Sequence, residues 1–268
     1  MFKRMLSCFF SLHLMFSFAY ADDSHDGWWY DPDHPGSGLS LAIRGDTMFL
    51  AMFTFVHNDG FPIWFTSGAK DQGDGVYAGK LLYWLNDIPD LFPNNPESHS
   101  VGDIAVGFTS DQELLVAYKV PELMGQDEEL LKVKMVPFMA NISGGSSDDR
   151  VKGWWYDPDE IGMGFFMEAR GGTLFGAWYY YYPEQTLGLP IWNTFSGKFT
   201  RDMTTFSAAL YDWKDGSMLG TEPYVAPASR FFGFDIYLKI KEDGTIDYGW
   251  AVPGQIPEEW FHLERFTF

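Results

Sequence analysis

Cysteine is nearly missing from this chain: Cys8 is the only one in 268 residues. It falls in a segment read below as a cleaved leader. The mature protein is therefore expected to hold neither a disulfide nor a reactive thiolate, which suits a bacterial periplasmic or secreted protein better than a small disulfide-stapled module. Basic residues are also scarce, with 18 Lys and Arg against 37 Asp and Glu and a net charge of −19. Such a chain repels phosphate backbones and anionic headgroups, so no nucleic-acid partner is expected. No apolar run approaches the roughly 20 residues that a spanning helix needs, so membrane insertion is not expected either. Catalytic signatures are missing too: there is no His-Glu-x-x-His, no Gly-x-Ser-x-Gly and no phosphate-cradling glycine loop. Outside the leader, His25, His34, His57, His99 and His262 show no metal-ligand spacing. We therefore expect no metal site, no cofactor and no identifiable catalytic residue.

What is present begins with export chemistry. Lys3 and Arg4 precede an apolar stretch from Phe9 to Phe18, and Ala19-Tyr20-Ala21 supplies small residues at the cleavage positions. Cleavage is expected after Ala21, leaving a periplasmic or secreted chain whose net charge moves from −19 to −21 with the loss of Lys3 and Arg4.

The chain then says one thing twice. Gly27-Trp28-Trp29-Tyr30-Asp31-Pro32-Asp33 returns as Gly153-Trp154-Trp155-Tyr156-Asp157-Pro158-Asp159. Gly36 and Gly38 match Gly162 and Gly164, and Arg44-Gly45 matches Arg170-Gly171. After a slip of two residues, Gly60-Phe61-Pro62-Ile63-Trp64 matches Gly188-Leu189-Pro190-Ile191-Trp192, and Leu82-Tyr83 is aligned with Leu210-Tyr211. An internal duplication follows, with residues 1–21 as leader, 22–140 as the first copy, 141–152 as a Gly/Ser-containing linker and 153–268 as the second copy.

Apolar periodicity of two runs through both copies, as in Leu39, Leu41 and Ile43 against Ser40, Ala42 and Arg44. Short turns such as Gly45-Asp46 and Gly171-Gly172 separate the runs and select hairpins. About eight strands per copy result, joined in sequence, and eight is the number at which a small antiparallel barrel closes on itself. The expected fold is all-β, with two tandem eight-stranded up-and-down barrels. One strand in each copy is apolar on both faces. Phe49, Ala51, Phe53 and Phe55 point one way and Met48, Leu50 and Met52 the other; Phe175, Ala177, Tyr179 and Tyr181 oppose Leu174, Trp178 and Tyr180. Two explanations stand: the barrels cover each other there as an intramolecular pseudo-dimer, or the outer aromatics form an exposed platform.

Gly27-x-Trp29 and Gly153-x-Trp155 open the copies, and in this the chain resembles the calycin group, the lipocalins and avidins. That resemblance implies a barrel with a ligand cavity in or at its mouth, and a basic residue of the last strand laid over the tryptophan. Arg265 is the matching residue in the second copy, with Lys132 or Lys134 as the choices in the first. The longer pattern, Gly-x-Trp-[Trp/Tyr]-Asp-Pro followed by Gly-x-Gly and Gly-x-Pro-x-Trp, looks like a repeat of exported bacterial proteins and carries no implied activity.

Aromatics make up 19% of the chain, which suits both strand cores and stacking on sugars or other rings. Trp28 and Trp29 are neighbours on one strand and must face opposite sides, so Trp29 and Trp155 are expected in the core and Trp28 and Trp154 on a contact surface. The ligand-binding candidates are Trp28, Trp64, Trp154, Trp192, Arg44, Arg170 and Tyr180. Asp31 and Asp157, each before Pro-Asp and a glycine pair, read as turn residues or as calcium ligands. The expected function is an exported, non-catalytic binding protein for a small neutral, apolar or sugar-like ligand or glycan. The alternatives are a glycan hydrolase using two carboxylates, drawn from residues such as Asp31, Glu168, Asp235 and Glu264, or a scaffold subunit of an envelope complex.

Overall fold

A computed structural model describes residues 23–56, 59–86, 96–119, 130–140, 148–160, 162–181, 188–200 and 204–268. The expected leader and the Gly/Ser stretch of the expected linker lie outside them. The first copy forms strands β1 (Gly27–Tyr30), β2 (Gly38–Arg44), β3 (Thr47–Phe55), β4 (Pro62–Asp71), β5 (Val76–Leu85), β6 (Glu97–Ser110), β7 (Glu113–Lys119) and β8 (Leu131–Pro137). The second forms β9 (Gly153–Tyr156), β10 (Gly164–Arg170), β11 (Thr173–Tyr181), β12 (Pro190–Lys198), β13 (Thr205–Lys214), β14 (Ala228–Ile240), β15 (Ile246–Ala251) and β16 (Phe261–Arg265). Each set is a closed antiparallel barrel of consecutive strands. β1 closes on β8 through Trp29 opposite Pro137, and β9 closes on β16 through Trp155 opposite Arg265. Closure leaves no full-length edge strand to seek a partner.

Local chemistry explains the hairpins. Arg44 pairs with Thr47 and Arg170 with Thr173, so each turn has two residues. Gly171 and Gly172 both hold positive φ, at 56° and 73°, the pair of left-handed residues that a tight hairpin turn demands. The inward faces then fill each barrel. Trp29, Leu39, Leu41, Met52 and Phe65 belong to the buried core of the first, and Trp155, Phe165, Met167, Phe195 and Tyr248 to that of the second. Each core tryptophan donates its indole N–H to a backbone carbonyl four residues earlier, Trp29 to His25 at 3.0 Å and Trp155 to Val151 at 2.8 Å. Arg265 lies over the Trp155 ring with its guanidinium carbon 4.6 Å from the centroid, and donates to the carbonyls of Asp149, Arg150 and Lys152. In the first copy Lys134 pairs instead with Glu113.

The outer faces of β3 and β11 pack on each other. Ala51, Phe53 and Phe55 share one buried cluster with Ala177, Tyr179 and Tyr181, together with Trp28, Trp64, Trp154 and Trp192. The contacts are reciprocal. Trp64 donates its indole N–H to the Tyr180 carbonyl at 3.3 Å, and Trp192 donates to the Thr54 carbonyl at 3.2 Å. Phe49 meets the Trp154 ring at 5.1 Å, and Phe175 meets Trp28 at 5.0 Å. A residue contacting the partner of its own counterpart is the mark of a two-fold, self-complementary interface, here built within one chain. The two greasy strand faces are covered by each other, and the exposed-platform explanation falls.

A second connection breaks this symmetry. The segment between β13 and β14 belongs to the second copy, yet its Met218 and Leu219 are members of the first barrel's buried core. The Leu219 N–H donates to Thr54 Oγ1 at 2.7 Å, and the Tyr118 hydroxyl donates to the Leu219 carbonyl. Both backbone polar groups of a residue inserted into an apolar barrel end are thereby satisfied. The next residue must be glycine, because a Cβ on Gly220 would sit 2.6 Å from Val133 Cγ2. At the loop's other end, the Tyr224 hydroxyl donates to the Pro35 carbonyl at 2.7 Å, and His34 lies between Asp31 at 2.9 Å and Glu222 at 3.1 Å. The first barrel is sealed by its twin.

Candidate functional site

Most of the residues singled out from sequence are consumed by this architecture. Trp28, Trp64, Trp154 and Trp192 are all buried between the barrels, which corrects the expectation that they present rings to a ligand. The reason is that their strands form the interface, and large flat side chains were needed to fill it. Tyr180 is buried as well, stacked on Trp178 with ring centroids 4.3 Å apart. Arg44 is exposed but holds Asp26 at 2.6 Å. Arg170 stands 3.7 Å from Glu168, a buried carboxylate whose other oxygen accepts the Trp28 backbone N–H at 3.2 Å. Burial raises the pKa of Glu168 above the usual carboxylate value.

Asp31 and Glu264, also named for hydrolysis, have structural employment, as does Asp157, the counterpart of Asp31. Asp31 accepts the Asp33 N–H and Asp157 the Asp159 N–H, both at 2.9 Å, which is the turn chemistry expected of an Asp two residues ahead of the amide it caps. Glu264 accepts from the Tyr156 hydroxyl at 3.4 Å. Among the described residues, buried side chains fill the barrel interiors. A crevice lined by His34, Ser37, Met218, Leu219 and Tyr224, where the loop enters the first barrel, holds about 10 Å³, space for a single water. In the second barrel Trp178 stands where the first has Met52, and it stacks on both Tyr180 and Trp250. Trp178 and Trp250 are partly buried and pack against the core of the second barrel.

Among the described residues, aromatics left substantially exposed stand at Phe138, at Phe266 and Phe268, and on the β13–β14 ribbon. Tyr211, Phe231, Phe232 and Phe234 are each 36–42% exposed. Tyr211 meets Phe231 at 6.4 Å, and Phe232 meets Phe234 at 6.2 Å. The cause is a local irregularity. Ala209 pairs with Asp235 and Tyr211 with Phe231, so Phe232, Gly233 and Phe234 together stand opposite Leu210. A bulge of this kind needs a residue free to take an unusual backbone angle, and Gly233 has φ 105°. Phe232 and Phe234 flank it, and both are exposed.

The first copy supplies an internal comparison. There Leu81 pairs with Gly102 and Leu82 with Ser100, leaving only Val101 extra, and Val101 turns into the core. Structural equivalence is fixed by two matching bonds: Trp84 Nε1 to Thr66 Oγ1 at 2.7 Å, and Trp213 Nε1 to Thr194 Oγ1 at 2.8 Å. Thr66 pairs with Leu82 and Thr194 with Tyr211. Leu82 therefore corresponds to Tyr211, and the sequence alignment of Leu82-Tyr83 with Leu210-Tyr211 is one residue out of register. A single-residue slip reverses the face of every side chain. Tyr83 is accordingly core, and Tyr211 is surface. At equivalent positions the first copy shows Leu82, Ser100 and the inward Val101, while the second shows four exposed rings.

Sequence reasoning missed this ribbon although its signal was available. Phe231, Phe232 and Phe234 are apolar on both faces of a strand, the same irregularity that marked β3 and β11. Compared with known proteins, the chain matches no family model, and neither a curated protein nor a solved structure matches it.

Proposed function

We propose that this protein is a non-catalytic binding module whose recognition surface is the aromatic outer wall of its second barrel. The observation that carries the reading is the exposed Phe232-Gly233-Phe234 bulge, set where the first copy is polar or turned inward. Three phenylalanines and a tyrosine stand 36–42% exposed on this ribbon, and exposed apolar groups of this kind are characteristic of interaction surfaces. The ligand is neutral or cationic, and apolar or sugar-like, because a chain of net charge −19 disfavours anions. Binding takes place outside the barrels, since their interiors are occupied by side chains and one is stoppered by Met218 and Leu219. The stoppered barrel also favours the scaffold reading, in which the same wall meets a macromolecule of the cell envelope. An extracytoplasmic location accompanies either version and rests on the leader-like first 21 residues.

The test is a thermal-shift screen of the mature protein against neutral glycans, aromatic metabolites and short apolar peptides, repeated on Phe232→Ser/Phe234→Ser. A bound ligand raises the melting temperature by mass action. The double variant should retain the parent's unliganded melting temperature to within a few degrees, since exposed substitutions change stability by roughly 0.5 kcal/mol. It should lose the ligand-induced shifts. Shifts that survive in the double variant would place binding elsewhere.

A further inference from the structure

The exposed wall continues into the loop between β15 and β16, and that loop narrows the reading above, on which it rests, to one kind of partner. The outermost pair joining β14 to β15 is Asp235 opposite Ala251. Phe234 and Val252 are the next residues outward on the two chains, and they are 37% and 41% exposed. The Gln255 N–H donates to the Val252 carbonyl at 3.1 Å, a tight turn that sets Ile256 at the head of the loop. Ile256 is 78% exposed, more than any other large apolar residue among the described residues.

Both sides of Ile256 are fastened to the barrel. The Tyr237 hydroxyl donates to the Gln255 carbonyl at 2.6 Å, and Pro257 is buried. Pro257 and the Glu259 carbonyl lie against Gly249, where a Cβ would stand 2.7 Å from each. Gly249 pairs with Tyr237, so the loop is held across β14 and β15 together. An apolar side chain displayed on a fixed support gives up less conformational freedom on binding than one on a loose loop.

The surroundings are acidic. Asp235 follows Phe234, and the exposed Glu258 and Glu259 follow Pro257. Among the described residues none of these three carboxylates enters an ion pair. The cations of β14's far end are engaged elsewhere. Lys239 lies over the Trp260 ring, with its Nζ 3.4 Å from the centroid, and Lys241 holds Asp247 at 2.6 Å. The apolar tip is thus set among negative charges that nothing compensates.

We propose that the β15–β16 loop, with Phe234 beside it, docks a basic amphipathic segment of a partner protein. Apolar side chains of the guest cover Ile256, Val252 and Phe234, and its Lys or Arg residues meet Glu258, Glu259 and Asp235. An apolar centre with a charged rim is the usual anatomy of a specific interface, and the rim charges select a partner of opposite sign. A second copy of this chain is a poor guest because both surfaces would carry the same negative charge, and anionic lipid is repelled for the same reason.

The probe is a fluorescein-labelled peptide of about 14 residues, Leu and Lys at helical amphipathic spacing, titrated into the mature protein and followed by anisotropy. Its controls keep the spacing but replace Lys by Glu, or Leu by Ser. The Leu-Lys peptide should bind, and both controls should bind at least about tenfold more weakly. Ile256→Ser should also weaken binding at least about tenfold while leaving the unliganded melting temperature within a few degrees of the parent. Glu258→Gln/Glu259→Gln should weaken binding and flatten its dependence on salt. Phe138→Ser, an exposed ring of the first barrel, should change nothing. Absence of Leu-Lys binding, or equal loss in the Ile256 and Phe138 variants, would overturn the inference, and the small-ligand screen would still decide the broader reading. Two other results would refute it by naming another occupant: a concentration-dependent dimer of the protein alone, or binding to phosphatidylcholine vesicles, either one removed by Ile256→Ser.

Discussion

Replacing Leu219 by alanine tests the claim that one copy completes the other. Leu219 is buried among first-barrel residues, although by sequence it belongs to the connection between β13 and β14 of the second. Truncating a buried leucine costs about 2–5 kcal/mol, set by how far the surroundings collapse into the space left. The lower half of that range applies here, because the residue sits at a barrel end where a loop can settle. Thr54→Val removes the acceptor of the Leu219 N–H and leaves that donor buried, for about 1–3 kcal/mol more. The two residues are in direct contact, so the double variant should lose less than the sum. The assay is urea unfolding together with amide hydrogen exchange resolved by residue. Its distinguishing result is location: Leu219→Ala should lower protection in β3, β7 and β8 of the first barrel, far away in sequence from the substitution. Protection lost only in β13 and β14, or a stability change under about 0.5 kcal/mol, would refute the argument that Leu219 stoppers the first barrel.

Two further outcomes follow from titratable groups between the copies. Glu168 has a raised pKa because burial disfavours its charged form, so the folded state holds the proton more tightly than the unfolded one. Its destabilising contribution is absent below the unfolded value, grows as pH rises through the folded value, and is full above it. Glu168→Gln keeps an oxygen for the Trp28 N–H and should be more stable than the parent at neutral pH, with the gap closing in acid; a deficit equal at neutral and acid pH, measured by urea unfolding, would contradict this. His34 is shifted upward chiefly by its hydrogen bond to Asp31, with Glu222 of the sealing loop adding to the effect. Its stabilisation is fully present below the unfolded value of about 6.5 and fades as pH rises through the raised folded value. His34→Gln should remove that pH dependence from the melting curve, and a parent whose stability is flat from mildly acid to alkaline pH would show that His34 does not tether the loop.

Much of the architecture was legible in the residues themselves because the relevant forces are local and periodic. Alternation along Leu39, Leu41 and Ile43 names an inward face, Gly45 and Gly171 name the turns, and the repeated Gly-Trp-Trp-Tyr-Asp-Pro names the duplication. The doubly apolar β3 and β11 signalled that something covers them, and a duplicated chain carries its own cover. Asp31 and Asp157 were legible as turn residues because an Asx turn is closed within two residues.

The site was less legible, for reasons that lie between strands rather than along them. Which face Trp28, Trp64, Trp154 and Trp192 presented to ligand or to twin depended on how two barrels dock, and docking is decided by surfaces assembled from many strands. The register that makes Tyr83 core and Tyr211 surface turned on one extra residue in the β14 bulge, which an alignment of apolar letters passed over. That Met218 and Leu219 serve the other barrel could not be read from a loop's composition, because only the closed fold brings residue 219 to Thr54 and Tyr118. The amino-acid order alone determined two closed meanders and marked β3 and β11 as doubly apolar. The tertiary structure decided that the barrels cover each other, which barrel is stoppered and which aromatics are left in water, since each depends on contacts between residues distant along the chain.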